Sequence, residues 1–252
     1  NIATVPPNTT IQYTFRTPLN FTKPGAYIVK VVADMPTDNL RANDTLSTLV
    51  NSAPLVNTFP YLQNFEKGEG GWYTSGANST WEYGTPASTK IYKAASGTKA
   101  WKTKLSFGRD DWENYLLYSP CFEIGGMSNP TLSFSLAKDL AGVMDTTHDV
   151  ASIEYSTDND IWESLIDTAS GTNWYNLIED FGWESEKVRW HVVTVALPRN
   201  VSIVRFRINR TNHPDVQTEG IGIDDIHIYD RTKEIYDGSS PSATVAKAVS
   251  GN

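Results

Sequence analysis

Two adjacent aspartates near the C-terminus, Asp224 and Asp225, lie inside the apolar, β-branched run 220–228. A strand turns successive side chains to opposite faces, so one of the two carboxylates is expected on the side where the isoleucines are buried. A buried carboxylate needs a cation or several hydrogen-bond donors to offset its lost hydration. Because Ca²⁺ binds hard oxygen ligands, the pair indicates either a structural Ca²⁺ site or ordinary turn hydrogen bonds at a strand end.

The chain is also rich in aromatic residues, with 8 Trp and 12 Tyr. Rings exposed in loops can stack on the apolar faces of sugars. Five aromatic residues in loop-like sequence are therefore candidates for glycan contact: Trp81, Tyr83, Trp174, Tyr175 and Trp183. Trp101, Trp162 and Trp190 alternate within predicted strands and are expected in the core. The alternative is that most of these rings serve packing, since Trp is mostly buried on average.

No catalytic motif stands out in the sequence. The four histidines, His148, His191, His213 and His227, do not have the H-E-x-x-H spacing of a zinc site. The nucleophile elbow, the P-loop and the dinucleotide-binding fingerprint are not found either. Asp and Glu residues are numerous, but none form a pair that can be singled out as glycosidase carboxylates. The sequence therefore favours a non-catalytic chain, and a glycan-hydrolysing domain with its own cleft stays an alternative.

Composition narrows the possible partners. The 252-residue chain has a formal net charge of −8 and a pI near 5.0. Nucleic acid is therefore excluded as a partner, since phosphate binding needs a basic face. The longest apolar runs are too short for a transmembrane helix, which predicts no membrane insertion. The single Cys121 cannot form a disulfide framework or a cysteine-based metal site.

Period-2 runs bounded by turn residues dominate the chain, which predicts an all-β protein. An N-terminal β unit is expected over 1–53, with strands at 11–15, 27–33 and 45–50. A second domain is expected over 54–231, and a linker or the start of a further module over 232–252. Many short strands with Gly, Pro and Asn turns are typical of an antiparallel β-sandwich or jelly roll. Its strands are predicted at 99–105, 114–124, 130–137, 149–156, 161–166, 188–196, 201–209 and 220–229.

Two parts of the chain resemble known modules. Residues 27–50, with the aspartate-rich turn 39–44 before the last strand, resemble the C-terminal half of the immunoglobulin-like adhesion modules of bacterial surface proteins. The ordered set of short motifs over 62–230 resembles the MAM-like, concanavalin-A-like jelly rolls of large secreted Bacteroidota proteins. These motifs are Asn64-Phe65-Glu66, 81–86, Ala100-Trp101, Ser119-Pro120, 130–134, 204–208 and Asp224-Asp225-Ile226.

The second resemblance implies several properties. It implies export, commonly by the type IX system, and a structural Ca²⁺ held by Glu66 together with Asp224 or Asp225. It further implies O-glycosylation at Asp-Ser/Thr-apolar sequences, here at Thr45 and Thr168. Such modules usually accompany a peptidase, a glycan hydrolase or an adhesin.

The expected function follows from these observations and resemblances. We expect a secreted or cell-surface, non-catalytic accessory or adhesion module. It would bind a glycan or a protein, or would space other domains of the same polypeptide. The alternatives are a lectin-like or hydrolytic jelly roll with its own cleft and a purely structural stalk module.

Overall fold

The computed structural model describes residues 5–74, 79–106, 115–141, 150–158, 160–166, 171–175, 182–184, 186–199, 203–211 and 218–233. Apart from a single turn of 3₁₀ helix at Arg41–Asn43, the regular structure in these residues is β. The strands are β1 (Gly25–Val32), β2 (Thr45–Ser52), β3 (Leu55–Val56), β4 (Tyr61–Gln63), β5 (Tyr73–Thr74), β6 (Trp81–Gly84), β7 (Ala100–Thr103), β8 (Tyr115–Glu123), β9 (Pro130–Asp139), β10 (Val150–Ser156), β11 (Glu163–Ser164), β12 (Glu186–Ala196), β13 (Ile203–Thr211) and β14 (Gly220–Asp230).

Strands β3 to β14 form two six-stranded sheets. One sheet has the order β11-β10-β13-β8-β3, with β5 also paired to β8, and the other has the order β12-β9-β14-β7-β6, with β4 also paired to β14. All pairings are antiparallel except β3 with β8. The predicted all-β, antiparallel sandwich is confirmed, and the eight strands predicted between 99 and 229 correspond to β7 through β14.

The two sheets bury one hydrophobic core between them. Phe122 of β8 and Phe206 of β13 come from one sheet, and Phe134 of β9 and Val193 of β12 come from the other. Strands β9 and β14 are buried along their whole length, so their outer face is also covered. The segment 88–99, between β6 and β7, contributes to this cover with Ile91, which is 1% exposed.

A β-bulge in the middle of β14 sets the positions of the two adjacent aspartates. The register against β9 shifts between Asp224 and His227, and Asp225 has a φ of 51°. The extra residue reverses the alternation of side chains, so Ile223 before the bulge and Ile226 after it both belong to the core. Without the bulge, the isoleucines on one side of it would face away from the core.

A second bulge interrupts the edge strand β12. Lys187 pairs with Lys138 and His191 pairs with Leu136, so the residues from Val188 to Trp190 leave the ladder with β9. Bulges are frequent at sheet edges and beside functional sites, where they redirect side chains. Here the bulge turns residues 188–190 toward the segment 88–99.

The N-terminal unit differs from its prediction. β1 and β2 form a two-stranded antiparallel sheet, but the strand predicted at 11–15 is wrong, because those residues are not in a strand. Their alternating pattern lacks the hydrogen-bonded partner that defines a strand, and Tyr13 and Phe15 are 47% and 63% exposed. Leu55 and Val56 belong to the sandwich through their pairing with β8.

Candidate functional site

The structure places Asp224 and Asp225 on one side of the sheet, facing the segment 95–99. Asp224 is 0% exposed, and its Oδ2 accepts hydrogen bonds from the backbone N–H groups of Ala95 (3.0 Å) and Ser96 (3.2 Å). Asp225 is 3% exposed, and it accepts hydrogen bonds from the hydroxyls of Ser96 (2.6 Å) and Ser135 (3.3 Å). The expectation that one carboxylate faces the core side is therefore wrong, because the bulge removes the strict alternation.

Glu66 reaches the same segment from the other direction. Its carboxylate accepts hydrogen bonds from the backbone N–H groups of Thr98 (2.8 Å) and Lys99 (2.7 Å) and from the Thr98 hydroxyl (3.0 Å). Gly97, at φ +57°, lies directly against it, since a Cβ there would be 2.4 Å from Glu66 Cδ. Together, the three predicted residues hold one five-residue segment in place. We call Glu66, Asp224 and Asp225 the carboxylate cluster.

The carboxylate cluster concentrates negative charge in a poorly hydrated place. Burial raises the pKa of Asp224 to about 8, with a further rise from the Asp225 charge and an opposing effect of the backbone N–H donors. Burial also raises the pKa of Asp225, against the hydrogen bonds from Ser96 and Ser135, and the Glu66 charge adds to the rise. Within the described ranges, neither aspartate forms an ion pair with a Lys, Arg or His side chain.

The same residues offer the hard oxygen ligands that Ca²⁺ prefers. Among the described residues, no group of three or more His, Cys, Asp and Glu side chains has the arrangement of a metal site. In the structure the carboxylates accept hydrogen bonds from backbone and hydroxyl donors. The predicted Ca²⁺ site therefore stays a prediction.

The end of β14 carries a third buried aspartate in a different setting. Asp230 is 5% exposed and accepts hydrogen bonds from the backbone N–H groups of Ser128, Asn129 and Thr232 and from the Thr232 hydroxyl. Burial acts to raise the pKa of Asp230, but these donors outweigh it and lower the pKa to about 2. These donors thus keep the carboxylate ionised, and Lys233 Nζ lies 4.0 Å from it.

Four of the five aromatic candidates for glycan contact prove to be structural. Trp81 and Trp183 are 3% and 2% exposed, so the expectation that they lie in open loops is wrong. Both belong to the core cluster. Trp174 and Tyr175 pack against Trp183 at ring-centroid distances of 4.9 and 4.7 Å. Trp174 and Tyr175 are half-buried, and these contacts reduce the ring surface that a sugar could reach.

The fifth candidate, Tyr83, is also tied into the fold. Its hydroxyl donates a 2.6 Å hydrogen bond to the Phe65 carbonyl, and its ring packs on Trp101 at 5.7 Å between centroids. The O-glycosylation prediction is untested. Thr45 is exposed at the start of β2, and Thr168 lies outside the described residues.

An open cavity of about 450 Å³ lies where the bulge of β12 meets the segment 88–99. We call it the Trp190 cavity. It is lined by Lys90, Ile91, Tyr92, Lys93, Ala95, Val188, Arg189 and Trp190. Tyr92 is 61% exposed and Trp190 is half-buried, so aromatic surface faces solvent here. Cavities of this size are typical of small-ligand sites.

Hydrogen bonds and close packing hold the walls of the Trp190 cavity in place. The backbone N–H groups of Lys90 and Ile91 donate to the Glu219 carboxylate at 2.8–2.9 Å. Trp190 Nε1 donates to the Lys93 carbonyl at 2.8 Å. The indole lies over Gly222 of β14, where a Cβ would be 2.8 Å from Trp190 Cη2. The wall is therefore preorganised by bonds to β12 and to the residues at the start of β14.

The expectation that Trp190 lies in the core is wrong, because Trp190 lines the cavity, and Tyr92 was not among the predicted residues. Two short sequences could have indicated them, Lys90-Ile91-Tyr92-Lys93 and Lys187-Val188-Arg189-Trp190. Each combines an aromatic residue with two cationic residues in an otherwise acidic chain. What the sequence does not reveal is the pair of irregular segments that bring these two sequences together.

Comparisons with known proteins give one short sequence match and several distant structural neighbours. No family model matches the chain. Over 63 residues, a quarter of the chain, it is 43% identical to Bacillopeptidase F of Bacillus subtilis, and it spans 4% of the length of that protein.

Two solved structures illustrate the fold likeness. The K1 cleaved adhesin domain of Lys-gingipain from Porphyromonas gingivalis W83 is 17% identical, with 68% of this chain and 98% of that chain covered and a TM-score of 0.44. A family 22 carbohydrate-binding module of Clostridium thermocellum Xyn10B is 11% identical, with 68% and 92% covered and a TM-score of 0.38. At these values the likeness says nothing about a shared ligand. In the described part of this chain, no helix is long and apolar enough to cross a membrane.

Proposed function

We propose that this chain is a non-catalytic binding module of a larger secreted or cell-surface protein, and that its ligand occupies the Trp190 cavity. The observation that carries the proposal is the cavity itself, about 450 Å³ in volume, with the exposed ring of Tyr92 and the half-buried indole of Trp190 on its walls. Large exposed aromatic surface in a concave site is unusual without a ligand to cover it.

The rigidity of the walls supports this function. Glu219, Asp224 and the indole of Trp190 hold the segment 90–96 at both ends and in the middle. A site ordered before the ligand arrives avoids the entropy cost of ordering it on binding. The β-sandwich thus acts as a scaffold that presents one shaped patch.

The match to Bacillopeptidase F supports a place within a larger polypeptide. That protein is far longer than this chain, and the likeness is confined to 63 residues. A parent protein with peptidase activity, to which this module is accessory, is part of the proposal. So are the MAM-like classification and export by the type IX system, which rest on the sequence resemblance.

A structural Ca²⁺ belongs to the same proposal. Two buried, adjacent aspartates without an ion-pair partner in the described ranges carry charge that a divalent cation would neutralise. Glu66, Asp224 and Asp225 would hold it, with oxygen atoms of Ser96 or Ser135 beside them. The cation would supply electrostatic stabilisation and would tie β14 to the segments around residues 66 and 95–99. It would take no part in a reaction.

A role in spacing domains is favoured by a separate observation. In the sheet formed by β1 and β2, Ile28 and Leu49 lie directly opposite each other and are 69% and 62% exposed. Paired aliphatic side chains on an open sheet face are typical of a surface that another domain covers. Contact with a neighbouring domain of the same polypeptide is compatible with binding at the Trp190 cavity.

The proposal can be tested by ligand screening with matched variants. The fluorescently labelled chain is applied to a glycan array and to immobilised extracellular proteins, and hits are confirmed by calorimetry. We expect Tyr92→Ala to weaken binding about tenfold, in line with the loss of one stacked ring. Phe15→Ala, at an equally exposed aromatic residue outside the cavity, should leave affinity unchanged. Binding that Tyr92→Ala does not alter, or no binding to either panel, would contradict the proposal.

A further inference from the structure

We infer that the Trp190 cavity binds an anionic sugar residue, one that carries a carboxylate or a sulfate group. This inference rests on the proposed binding function and names the class of ligand for the same cavity. It is drawn from three features of the wall: two uncommitted cations, one exposed and one half-buried aromatic ring, and the irregular course of the edge strand.

The cations are the first feature. Of the three basic residues on the wall, Lys90 is already engaged, since its Nζ lies 2.8 Å from Asp139 and 2.9 Å from Glu186. Lys93 and Arg189 are exposed, and in the part of the chain that the structure describes neither pairs with a carboxylate. Two free positive charges in one cavity of a chain with net charge −8 point to an anionic ligand.

The rings are the second feature. Tyr92 and Trp190 flank the cavity, and Lys93 Nζ lies 5.9 Å from the centroid of the Tyr92 ring. Aromatic surface suits a ligand with an apolar face, and a pyranose ring offers such a face of C–H groups. A guanidinium or ammonium beside that surface suits a carboxylate or sulfate on the same sugar. A charged sugar combines both kinds of surface within a few ångströms.

The edge strand is the third feature, and it decides between a glycan and an acidic peptide. An extended peptide would bind by adding a strand to the free edge of the sheet. At Val188–Trp190 the backbone of β12 leaves its ladder with β9, so the strand is not regular where it borders the cavity. The volume of about 450 Å³ also suits a compact ligand of a few sugar units better than a protein surface.

The test is calorimetric titration of the full chain with three defined oligosaccharides: trigalacturonic acid, a sulfated heparin hexasaccharide and neutral galactotriose. We expect one or both anionic probes to bind at least tenfold more tightly than the neutral one. Raising the salt concentration from about 50 to about 500 mM should weaken that binding, since it screens the charges. The two anionic probes distinguish a carboxylate from a sulfate as the bound group.

Two variants assign the effect to the cavity. Arg189→Gln and Lys93→Gln should each weaken anionic binding about tenfold and leave the neutral probe unchanged. Arg16→Gln, at an exposed arginine outside the cavity, is the matched control and should change nothing. Thermal melts establish that each variant is folded, since all three positions are on the surface.

The remaining outcomes overturn the inference in distinguishable ways. Equal affinity for galactotriose, with no effect of Arg189→Gln, would overturn the anionic class and leave the binding function in place. Binding of poly-glutamate but of no oligosaccharide, abolished by Arg189→Gln, would replace the sugar with an acidic peptide. No binding to these probes or to any panel would overturn the inference together with the proposed function.

Discussion

Asp224 at the centre of β14 and Asp230 at its end are both almost fully buried, and both accept several hydrogen bonds. Their pKa values nevertheless shift in opposite directions, to about 8 for Asp224 and to about 2 for Asp230. The same strand thus holds one carboxyl group whose protonated form is favoured and one whose ionised form is favoured.

For Asp224 the largest cause is burial, which its donors do not offset, whereas for Asp230 the donors outweigh burial. Asp224 is next to Asp225, and the Glu66 charge is close to Asp225, so repulsion adds to the cost of burial. Asp230 has three backbone donors, from residues 128–129 and Thr232, and among the described residues its charged partner is Lys233, 4.0 Å away. A single carboxylate can be satisfied by a turn, whereas an adjacent buried pair needs positive charge. The predictions below test this contrast.

The largest effect is expected from removing the central carboxylate. Asp224→Ala leaves the backbone N–H groups of Ala95 and Ser96 without their acceptor in a buried place. We expect a loss of about 2–4 kcal/mol in the free energy of unfolding, measured by urea denaturation in calcium-containing buffer. Asp230→Ala should lose only about 1–2 kcal/mol, because water can replace the acceptor at the surface turn. Equal losses for the two variants would mean that the position of a carboxylate, at the centre or at the end of β14, does not determine how much it stabilises the fold.

Removal of divalent cations should lower the melting temperature through the carboxylate cluster at the centre of β14, and not through Asp230 at its end. If Ca²⁺ binds the carboxylate cluster, saturating Ca²⁺ should raise the melting temperature by about 5–10 °C over EDTA-treated protein. Asp225→Asn should abolish this rise because it removes one of the ligands, and Asp230→Asn should retain it. An unchanged melt, with no metal found by elemental analysis of the purified chain, would rule out the Ca²⁺ site.

Acid should lower the free energy of unfolding through Asp230, at the end of β14. The pKa of Asp230 is about 2 in the folded chain, below its ordinary value of 3.8, so the folded state binds fewer protons than the unfolded state between these values. Its stabilising effect is therefore complete above about pH 4 and is lost as the pH falls toward 2, a change of about 1–2 kcal/mol. Urea denaturation of the metal-free chain at several pH values measures it. Asp230→Asn should flatten this part of the profile, and an unaltered profile would contradict the assignment.

The smallest effect on stability is expected at Glu66. Glu66→Gln keeps an oxygen acceptor for Thr98 and Lys99 but removes the charge, and the side chain is only half-buried. We expect less than about 1 kcal/mol of destabilisation in EDTA. The same variant should lose most of the calcium-dependent rise in melting temperature, because Glu66 would be a ligand. Glu69→Gln, at an exposed glutamate nearby, is the control; a full calcium response in Glu66→Gln would remove Glu66 from the site.

Much of the sandwich could be predicted from the sequence because alternation and turn residues are local signals. The runs that became β9 and β14 were located to within one or two residues. The grouping of Glu66 with Asp224 or Asp225 was also predicted, as an implication of the resemblance to jelly-roll modules. The bulge at Asp225 was not, because an extra residue in a strand depends on the partner strand and leaves little trace in a single sequence.

The aromatic residues show where local reasoning failed. Trp81 and Trp183 lie in sequence that resembles a loop, yet the sandwich folds over them. Trp190 alternates like a core residue, yet the bulge of β12 turns it to the cavity. Exposure of a ring depends on how distant segments pack, so spacing alone cannot assign it. The pattern at 11–15 failed for the same reason, since no strand among the described residues pairs with it.

The segment 90–99 is shared by both sites: residues 90–95 line the Trp190 cavity, and residues 95–99 are held by the carboxylate cluster. Ala95 belongs to both. If Ca²⁺ binds the carboxylate cluster as proposed, the cation and the ligand of the Trp190 cavity would contact the same short segment. Any change that one of them makes in the affinity of the other would then be returned by the same factor. Withdrawal of calcium would in that case change how tightly the module holds its target.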